Sequence, residues 1–360
     1  MSFFTQFNVL DIGTHSLKFF SLDSGKYNQG YKIRDCFSEN VSSGLIGGGF
    51  TNPKISDLYK FQNLLEQGFS KVSRFREGFF IAIPDRWVKF QMLETELSDE
   101  EIASSEYLLW KLKKKLMPAP LQFDCVVDYQ IFSITESNGK KTAKIMAGLI
   151  HKDIIEVLST VFCRLRVEVI SFDSSTMGIY NLIEEMHPDM SIDRNLIVCH
   201  IGHETTNIKI YVKGLLDYER VIEVGGEYFG KKISELENIS YSEALKIKET
   251  TKYFPVTGRE ILSAVMRKGI IEKIFGNWLR ELQVTFKFYQ DRTRISKLPQ
   301  IFLSGGSSQF YGLPEFLSEY FETPCTLFNP FRGLPLDKNL SEDILQMGPM
   351  FAPSLGILVT

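Results

Sequence analysis

The chain has 360 residues, of which 44% are hydrophobic and 24% are charged, and its formal net charge is −3 at pH 7. This length predicts two domains, because single hydrophobic cores rarely grow beyond about 250 to 300 residues. The near-neutral charge gives no reason to expect nucleic acid as a partner, and no apolar run reaches the about 20 residues of a membrane span. The 5 cysteines, without a C-x-x-C pair, predict reduced thiols, and the N-terminus has no signal-peptide pattern. We therefore expect a cytoplasmic protein.

Strand-like and helix-like runs are interleaved along the chain, which predicts an α/β fold. The strand-like runs are FFIAIP (79–84), KIMAGLI (144–150), RVEVISF (166–172) and QIFLSGG (300–306). Ser98 and Glu101 form a capping box that predicts one helix ending before Pro118, with an apolar face made of Ile102, Leu109, Leu112 and Leu116. Its KLKKK end (111–115) is interpreted as solvated.

A second capping box, Ser240 with Glu243, opens another predicted helix. A longer helix is predicted to follow from about Arg259. Its large apolar side chains recur at helical spacing and are predicted to be core residues: Ile271, Phe275, Trp278, Leu282 and Phe286.

One pattern occurs twice. NVLDIGTHSLKFFSLDSG (8–25) and NLIVCHIGHETTNIKIYVKG (195–214) each contain an apolar run, an Ile-Gly pair and a polar turn. Such a turn can bring backbone amides and hydroxyls close to a phosphate, because glycine has no side chain. The repetition predicts two related domains, although each turn alone is also typical of an ordinary β-hairpin.

These hairpins resemble the two phosphate hairpins of the actin-like ATPases, and IFLSGGSSQFYGLPEFLSEYFETPCTLFNPF (301–331) resembles their adenosine motif. The resemblance implies ATP or ADP with magnesium as cofactors. It places Asp11 towards the magnesium. The residues it places around the nucleotide are Gly13, Thr14, His15, Ser16 and Lys18 in the first hairpin, Gly202, Thr205 and Thr206 in the second, and Gly305, Gly306 and Ser307 in the adenosine motif.

Within that superfamily the chain is similar to the PilM family of type IV pilus assembly. The similar segments are SSGLIGGGFTNPKI (42–55), MPAPLQFDCVVDYQIF (117–132), VIEVGGEYFGKKI (221–233) and FAPSLGIL (351–358). The implied fold is an actin-like ATPase fold of two related RNase H-like domains with the inserted subdomain that FtsA and PilM share. It also implies that Gly225, Gly226, Glu227 and Lys248 lie near the nucleoside.

The resemblance implies a first domain at 1–187 with the insertion at about 80–165. It implies a second domain at 188–338 with a helical subdomain at about 228–298, and a segment at 339–360 that returns to the first domain. The implied function is a cytoplasmic nucleotide-binding scaffold of the type IV pilus assembly platform. Its implied partners are the cytoplasmic tail of a PilN-like inner-membrane protein and other pilus assembly proteins, so membrane association would be indirect.

Two residues depart from the family pattern. His200 stands in the second hairpin where the family carries an acid, and His15 stands in a turn that usually carries small hydroxyl residues. Because magnesium prefers oxygen ligands, an imidazole at 200 predicts at most a slow ATPase. The sequence identifies no catalytic residue.

Other functions fit parts of the pattern. An FtsA-like or type II secretion scaffold shares the fold, and FtsA would carry an amphipathic membrane helix after a segment such as FAPSLGIL, where this sequence ends. A small-molecule kinase would need a carboxylate base, which the sequence does not identify. A zinc site at Cys199, His200 and His203, or a catalytic thiol at Cys163 or Cys325, is less consistent with strand alternation and with the apolar surroundings.

Overall fold

The computed structural model describes residues 6–24, 31–72, 78–116, 124–187, 195–250, 253–254, 261–332 and 334–358. The strands in this part of the chain are β1 (Gln6–Ile12), β2 (Ser16–Ser24), β3 (Tyr31–Asn40), β4 (Ile46–Gly47), β5 (Lys54–Ile55), β6 (Phe79–Ile83), β7 (Val88–Leu97), β8 (Cys125–Ser137), β9 (Lys140–His151), β10 (Val169–Ser174), β11 (Leu196–Ile201), β12 (Thr206–Val212), β13 (Leu215–Ile222), β14 (Gln300–Ser304) and β15 (Cys325–Leu327). The α-helices are α1 (Leu58–Phe69), α2 (Asp99–Ala103), α3 (Ser105–Leu116), α4 (Lys152–Arg164), α5 (Ile179–Met186), α6 (Gly226–Glu237), α7 (Tyr241–Thr250), α8 (Ile261–Thr293), α9 (Leu313–Tyr320) and α10 (Gly348–Gly356).

The contacts divide the chain into two compact units. We call Gln6–Phe19 with Phe37–Ser175 the N-terminal unit, and Phe20–Cys36 with Thr176–Thr360 the C-terminal unit, so far as these ranges are described. The predicted domain boundaries differ from this division and stay predictions. The predicted boundary at 188 lies outside the described residues.

Two five-stranded sheets have the same strand order, which confirms the duplication predicted from the two hairpins. One sheet runs β10-β6-β1-β2-β3 and the other runs β15-β14-β11-β12-β13. In the first, β1 and β10 both pair in parallel with β6. In the second, β11 and β15 both pair in parallel with β14. Each hairpin therefore begins on the middle strand of its sheet. The two strands on one side of it run parallel to each other, and the two strands on the other side follow it directly in the chain.

A smaller sheet, β7-β9-β8, lies within the range predicted for the insertion and packs against α3. The capping box of Ser98 and Glu101 is present, but the predicted single helix is two helices, α2 and α3. The chain is extended at Ser104, whose hydroxyl accepts from the Tyr107 amide at 3.4 Å. Serine competes with helical hydrogen bonds in this way. The break also changes the buried face, because Leu108 is buried where Leu109 was predicted.

The lysines at the end of α3 have partners within the same unit, so the prediction of a solvated helix end was incomplete. Lys111 pairs with Glu101 at 2.7 Å. Lys113 pairs with Asp124, and Lys115 donates to the carbonyl of Glu94. These contacts connect α3 to α2 and to the neighbouring strands.

Three apolar clusters stabilise the described fold. The C-terminal unit has a core around Trp278, Phe275 and Phe229, which confirms the predicted core face of α8. The N-terminal unit has one around Phe19 and Phe61, and the insertion sheet has a third. No helix among the described residues is long and apolar enough to span a membrane.

Candidate functional site

The first glycine turn connects β1 to β2 in the N-terminal unit. The Gly13 amide donates to the Ser16 carbonyl at 3.1 Å, and a Cβ at Gly13 would lie 2.8 Å from that oxygen. The turn therefore requires glycine for steric reasons. The carbonyl of His15 accepts from the Val41 amide at 2.8 Å, so the loop after β3 supports the turn. Thr14, predicted to face a phosphate, stands inside this turn.

Asp11 is buried at the end of β1, with 2% of its surface exposed. Its Oδ2 accepts from Lys18 Nζ at 2.8 Å, and its Oδ1 accepts from Ser175 Oγ at 3.2 Å. Both Asp11 and Lys18 were predicted as site residues, whereas Ser175 was not. The signal for Ser175 is its position directly after β10, because the carboxyl ends of parallel strands meet at one edge of a sheet.

The second glycine turn connects β11 to β12 and is joined to the start of α6. The Gly202 amide donates to Thr205 O at 2.9 Å, which closes the turn. The amide of Gly226 then donates to Gly202 O at 2.9 Å, and the amide of Glu227 donates to His203 O at 2.7 Å. Two of the amides that a helix leaves without intrahelical partners are thus satisfied by this turn.

Glycines 225, 226 and 305 bring the predicted nucleoside residues together in the C-terminal unit. A Cβ at Gly225 would lie 2.6 Å from His203 O. A Cβ at Gly226 would lie 2.2 Å from Ser307 Oγ and 3.1 Å from Lys248 Nζ. Gly305 has φ +91°, and a Cβ there would lie 2.4 Å from Ile201 O. Close approach of these segments therefore depends on glycine, and Lys248 and Ser307 both approach the beginning of α6.

Three further predicted site residues have surroundings that the structure describes. Thr206 is fully buried: its hydroxyl donates to Val224 O at 2.8 Å and accepts from Trp278 Nε1 at 3.0 Å. Glu227 pairs with Lys231 one turn along α6 at 2.9 Å. A Cβ at Gly306 would make only ordinary contacts with Met350, the nearest at 3.9 Å.

His200 lies on β11, beside the second turn. Its Nδ1 is 3.0 Å from Ser304 Oγ of the adjacent strand β14. Ser304 was not predicted as a site residue. The register of β11 with β14 connects the two residues, and the spacing of residues along the chain does not contain that information.

The groups near the start of α6 in the C-terminal unit, which are the Ser307 hydroxyl and the Lys248 amine, suit an anionic ligand better than a metal ion. The described residues contain no group of three or more His, Cys, Asp or Glu side chains suited to a metal ion. Burial raises the pKa of the Cys199 thiol to about 12, which disfavours the thiolate that zinc would need. Asp11 is compatible with magnesium bound mainly through phosphates, since that ion needs only one or two protein carboxylates.

The family follows from a comparison over nearly the whole chain. A model of the family described as type IV pilus assembly protein PilM matches residues 9–357. The chain belongs to the PilM family. Its role is therefore in type IV pilus assembly, which favours that function over the FtsA-like and kinase alternatives. No curated protein matches the sequence.

Solved structures show that the fold is the actin-like ATPase fold. The structure described as the PilM-PilN type IV pilus biogenesis complex matches with a TM-score of 0.74 at 19% identity, over 97% of this chain and 96% of that chain. EutJ from Carboxydothermus hydrogenoformans matches with 0.52 at 13% identity, over 98% and 89%. MreB5 of Spiroplasma citri bound to ADP matches with 0.52 at 13% identity, over 99% and 96%.

Proposed function

We propose that this chain is a nucleotide-binding scaffold of the type IV pilus assembly platform. It binds ATP or ADP through its glycine turns and holds the cytoplasmic tail of a PilN-like inner-membrane protein. The observation that carries nucleotide binding is the approach of Lys248 and Ser307 to Gly226, at a helix start joined to the Gly202 turn. An amine beside a helix start suits an anionic ligand, because its positive charge adds to that end of the helix dipole.

The residues of each unit have separable roles in this proposal. In the C-terminal unit, Gly202 lets a phosphate approach the backbone, while Lys248 supplies positive charge. In the N-terminal unit, Asp11 is the carboxylate that would hold magnesium, and Ser175 fixes its orientation. Magnesium, when bound, supplies charge neutralisation for the phosphates. Lys18 pairs with this carboxylate, at 2.8 Å from its Oδ2.

Calorimetry with ADP and magnesium tests nucleotide binding. A methyl group at position 202 would lie 3.2 Å from Thr205 O, so Gly202→Ala requires a shift of only a few tenths of an ångström in the fold. That methyl group would nevertheless occupy space beside the turn, and we expect at least a tenfold weaker affinity. Gly269→Ala on α8 is the matched control, because a Cβ there meets nothing within 4 Å. Absence of binding by the unaltered protein at millimolar ADP contradicts the proposal.

We further propose that the partner tail binds an open cavity of the N-terminal unit. The cavity has a volume of about 270 Å³. It is lined by Asn52, Pro53, Lys54, Ile55, Leu58, His151, Asp153, Ile154 and Val157. It combines an exposed apolar side chain, Leu58, with charges of both signs and with the short edge strand β5, features that suit an extended peptide. The solved PilM-PilN complex supports a partner of this class.

Two neighbouring residues of α1 give a matched test of this cavity. Leu58 lines it and is 45% exposed, whereas Tyr59 does not line it and is 75% exposed. An aspartate at either position lies in the first turn of the helix, where the helix dipole favours a negative charge. We expect Leu58→Asp to weaken binding of the PilN-like tail peptide at least tenfold, and Tyr59→Asp to leave it unchanged. Equal effects of the two substitutions contradict this location.

A further inference from the structure

His200 lies where two strands run into glycine turns within the C-terminal unit. In the parallel pairing of β11 with β14, His200 is opposite Ser304. Gly202 follows the end of β11, and Gly305 follows the end of β14 directly. The imidazole is therefore at the carboxyl edge of a parallel strand pair, which is where ligands bind in open α/β sheets.

The ring is oriented by a buried hydroxyl. Nδ1 lies 3.0 Å from the Oγ of Ser304, which is fully buried. A Cβ at Gly305 would lie 3.1 Å from the Cε1 atom of His200, and a Cβ at Gly202 would lie 3.8 Å from its Nε2. The Nε2 edge thus borders the positions where both glycines leave out a side chain. A larger residue at 202 would lie beside this nitrogen, and one at 305 would lie beside the neighbouring Cε1.

This orientation gives the ring a chemistry that differs from that of a metal ligand. When Ser304 donates to Nδ1, the neutral imidazole carries its proton on Nε2 and is a donor there. Magnesium prefers oxygen ligands, so a ring N–H at this turn does not help to hold the ion. The same N–H forms a strong, charge-assisted hydrogen bond with an anionic oxygen.

We propose that Nε2 of His200 donates directly to a phosphate oxygen of the nucleotide bound at the Gly202 turn, so that this phosphate is held without magnesium. Ser304 is a positioning residue, since it sets the tautomer and the orientation of the ring. The inference rests on the nucleotide binding proposed above and adds that affinity depends little on the metal. A hydrogen bond of this type contributes about tenfold to a hundredfold in affinity.

The test compares ADP affinity in magnesium with ADP affinity in EDTA. For the unaltered protein we expect the two dissociation constants to agree within about threefold. His200→Asp replaces the donor by a carboxylate that repels the phosphate unless an ion lies between them. We therefore expect the EDTA-to-magnesium ratio of its dissociation constants to rise at least tenfold. His200→Asn, which can donate but is shorter, keeps the ratio low, and Ser304→Ala weakens binding in both buffers without raising the ratio.

The outcomes separate the role of His200 from the proposed nucleotide binding on which it rests. No ADP binding by the unaltered protein in either buffer overturns both. Binding that is lost in EDTA overturns the role of His200 and leaves nucleotide binding standing. An unchanged ratio in His200→Asp also overturns it, provided that thermal melting shows a folded variant. If His200→Asp does not fold, His200→Asn provides the test. This variant overturns the role of His200 if it binds ADP in magnesium as tightly as the unaltered protein does but loses binding in EDTA.

Discussion

Adding a methyl group at Gly226 tests the packing at the centre of the candidate nucleotide site. Gly226 is the first residue of α6, and the Cβ of an alanine there would lie 2.2 Å from Ser307 Oγ. That separation is roughly 1 Å shorter than a normal non-bonded contact. The serine hydroxyl therefore has to move, and the Lys248 amine, at 3.1 Å from the same point, moves with it.

The size of the effect can be worked out from these contacts. Overpacking of this kind costs about 1 to 3 kcal/mol, while alanine in a helix is more stable than glycine by about 0.5 to 1 kcal/mol. Gly226→Ala alone should thus change the free energy of unfolding by between about 0 and 2.5 kcal/mol, in the destabilising direction. In a Ser307→Ala background the hydroxyl is absent, and the nearest remaining atoms are Lys248 Nζ at 3.1 Å, the end of a flexible side chain, and the Cβ of residue 307 at 3.4 Å. The same substitution should then become neutral or stabilising.

The assay is a double-mutant cycle in urea, with four proteins compared at one pH and temperature. We expect a coupling between the two positions of about 1 to 3 kcal/mol, and a weaker ADP affinity for Gly226→Ala alone. Additivity within about 0.5 kcal/mol would show that Ser307 does not approach α6 as described. The reasoning about how these glycines shape the site would then be refuted.

Three further predictions follow from particular contacts. His200→Asp should raise ATP turnover at saturating ATP and magnesium, because restoring a group that orders the transition state is worth about 2 to 4 kcal/mol; an unchanged rate in a folded, ADP-binding variant contradicts this. Burial raises the pKa of Asp173, so its ionised carboxylate lowers the free energy of unfolding at pH values above the folded-state pKa. This destabilisation decreases as the pH falls from there towards 3.8. Asp173→Asn should therefore raise the free energy of unfolding at pH 7 and have little effect below pH 3.8, and a loss at pH 7 contradicts the sign. Lys111, Lys113 and Lys115 have partners in the fold, so we do not expect them to bind a lipid surface. The protein should pellet with anionic liposomes at physiological salt only when the liposomes carry the PilN-like tail.

Local signals in the sequence were sufficient for several elements of the fold and the site. The capping box of Ser240 with Glu243 forms as predicted, because its hydrogen bonds join residues three positions apart. The Ile-Gly turns at 13 and 202 form for the same reason, since each turn closes within a few residues. The two candidate turns could thus be located without knowledge of the sheet order.

Contacts between distant parts of the chain could not be predicted in this way. Ser175 meets Asp11 across 164 positions, and Ser304 meets His200 across 104. Both pairs depend on which strands are neighbours, and only the assembled sheets determine that. The sequence also could not predict that Thr206 points into the core. Strand β12 is buried on both faces, so its pattern of apolar and polar residues does not distinguish one face from the other.

The most direct measurement is a crystal structure of the protein grown with ADP and magnesium. The account predicts a phosphate against the backbone of the Gly202 turn, within hydrogen-bond distance of His200 Nε2, and the nucleoside beside Gly226 and Ser307. ADP bound at another location would contradict it. A structure without bound ADP, at concentrations that saturate actin-like ATPases, would contradict it equally.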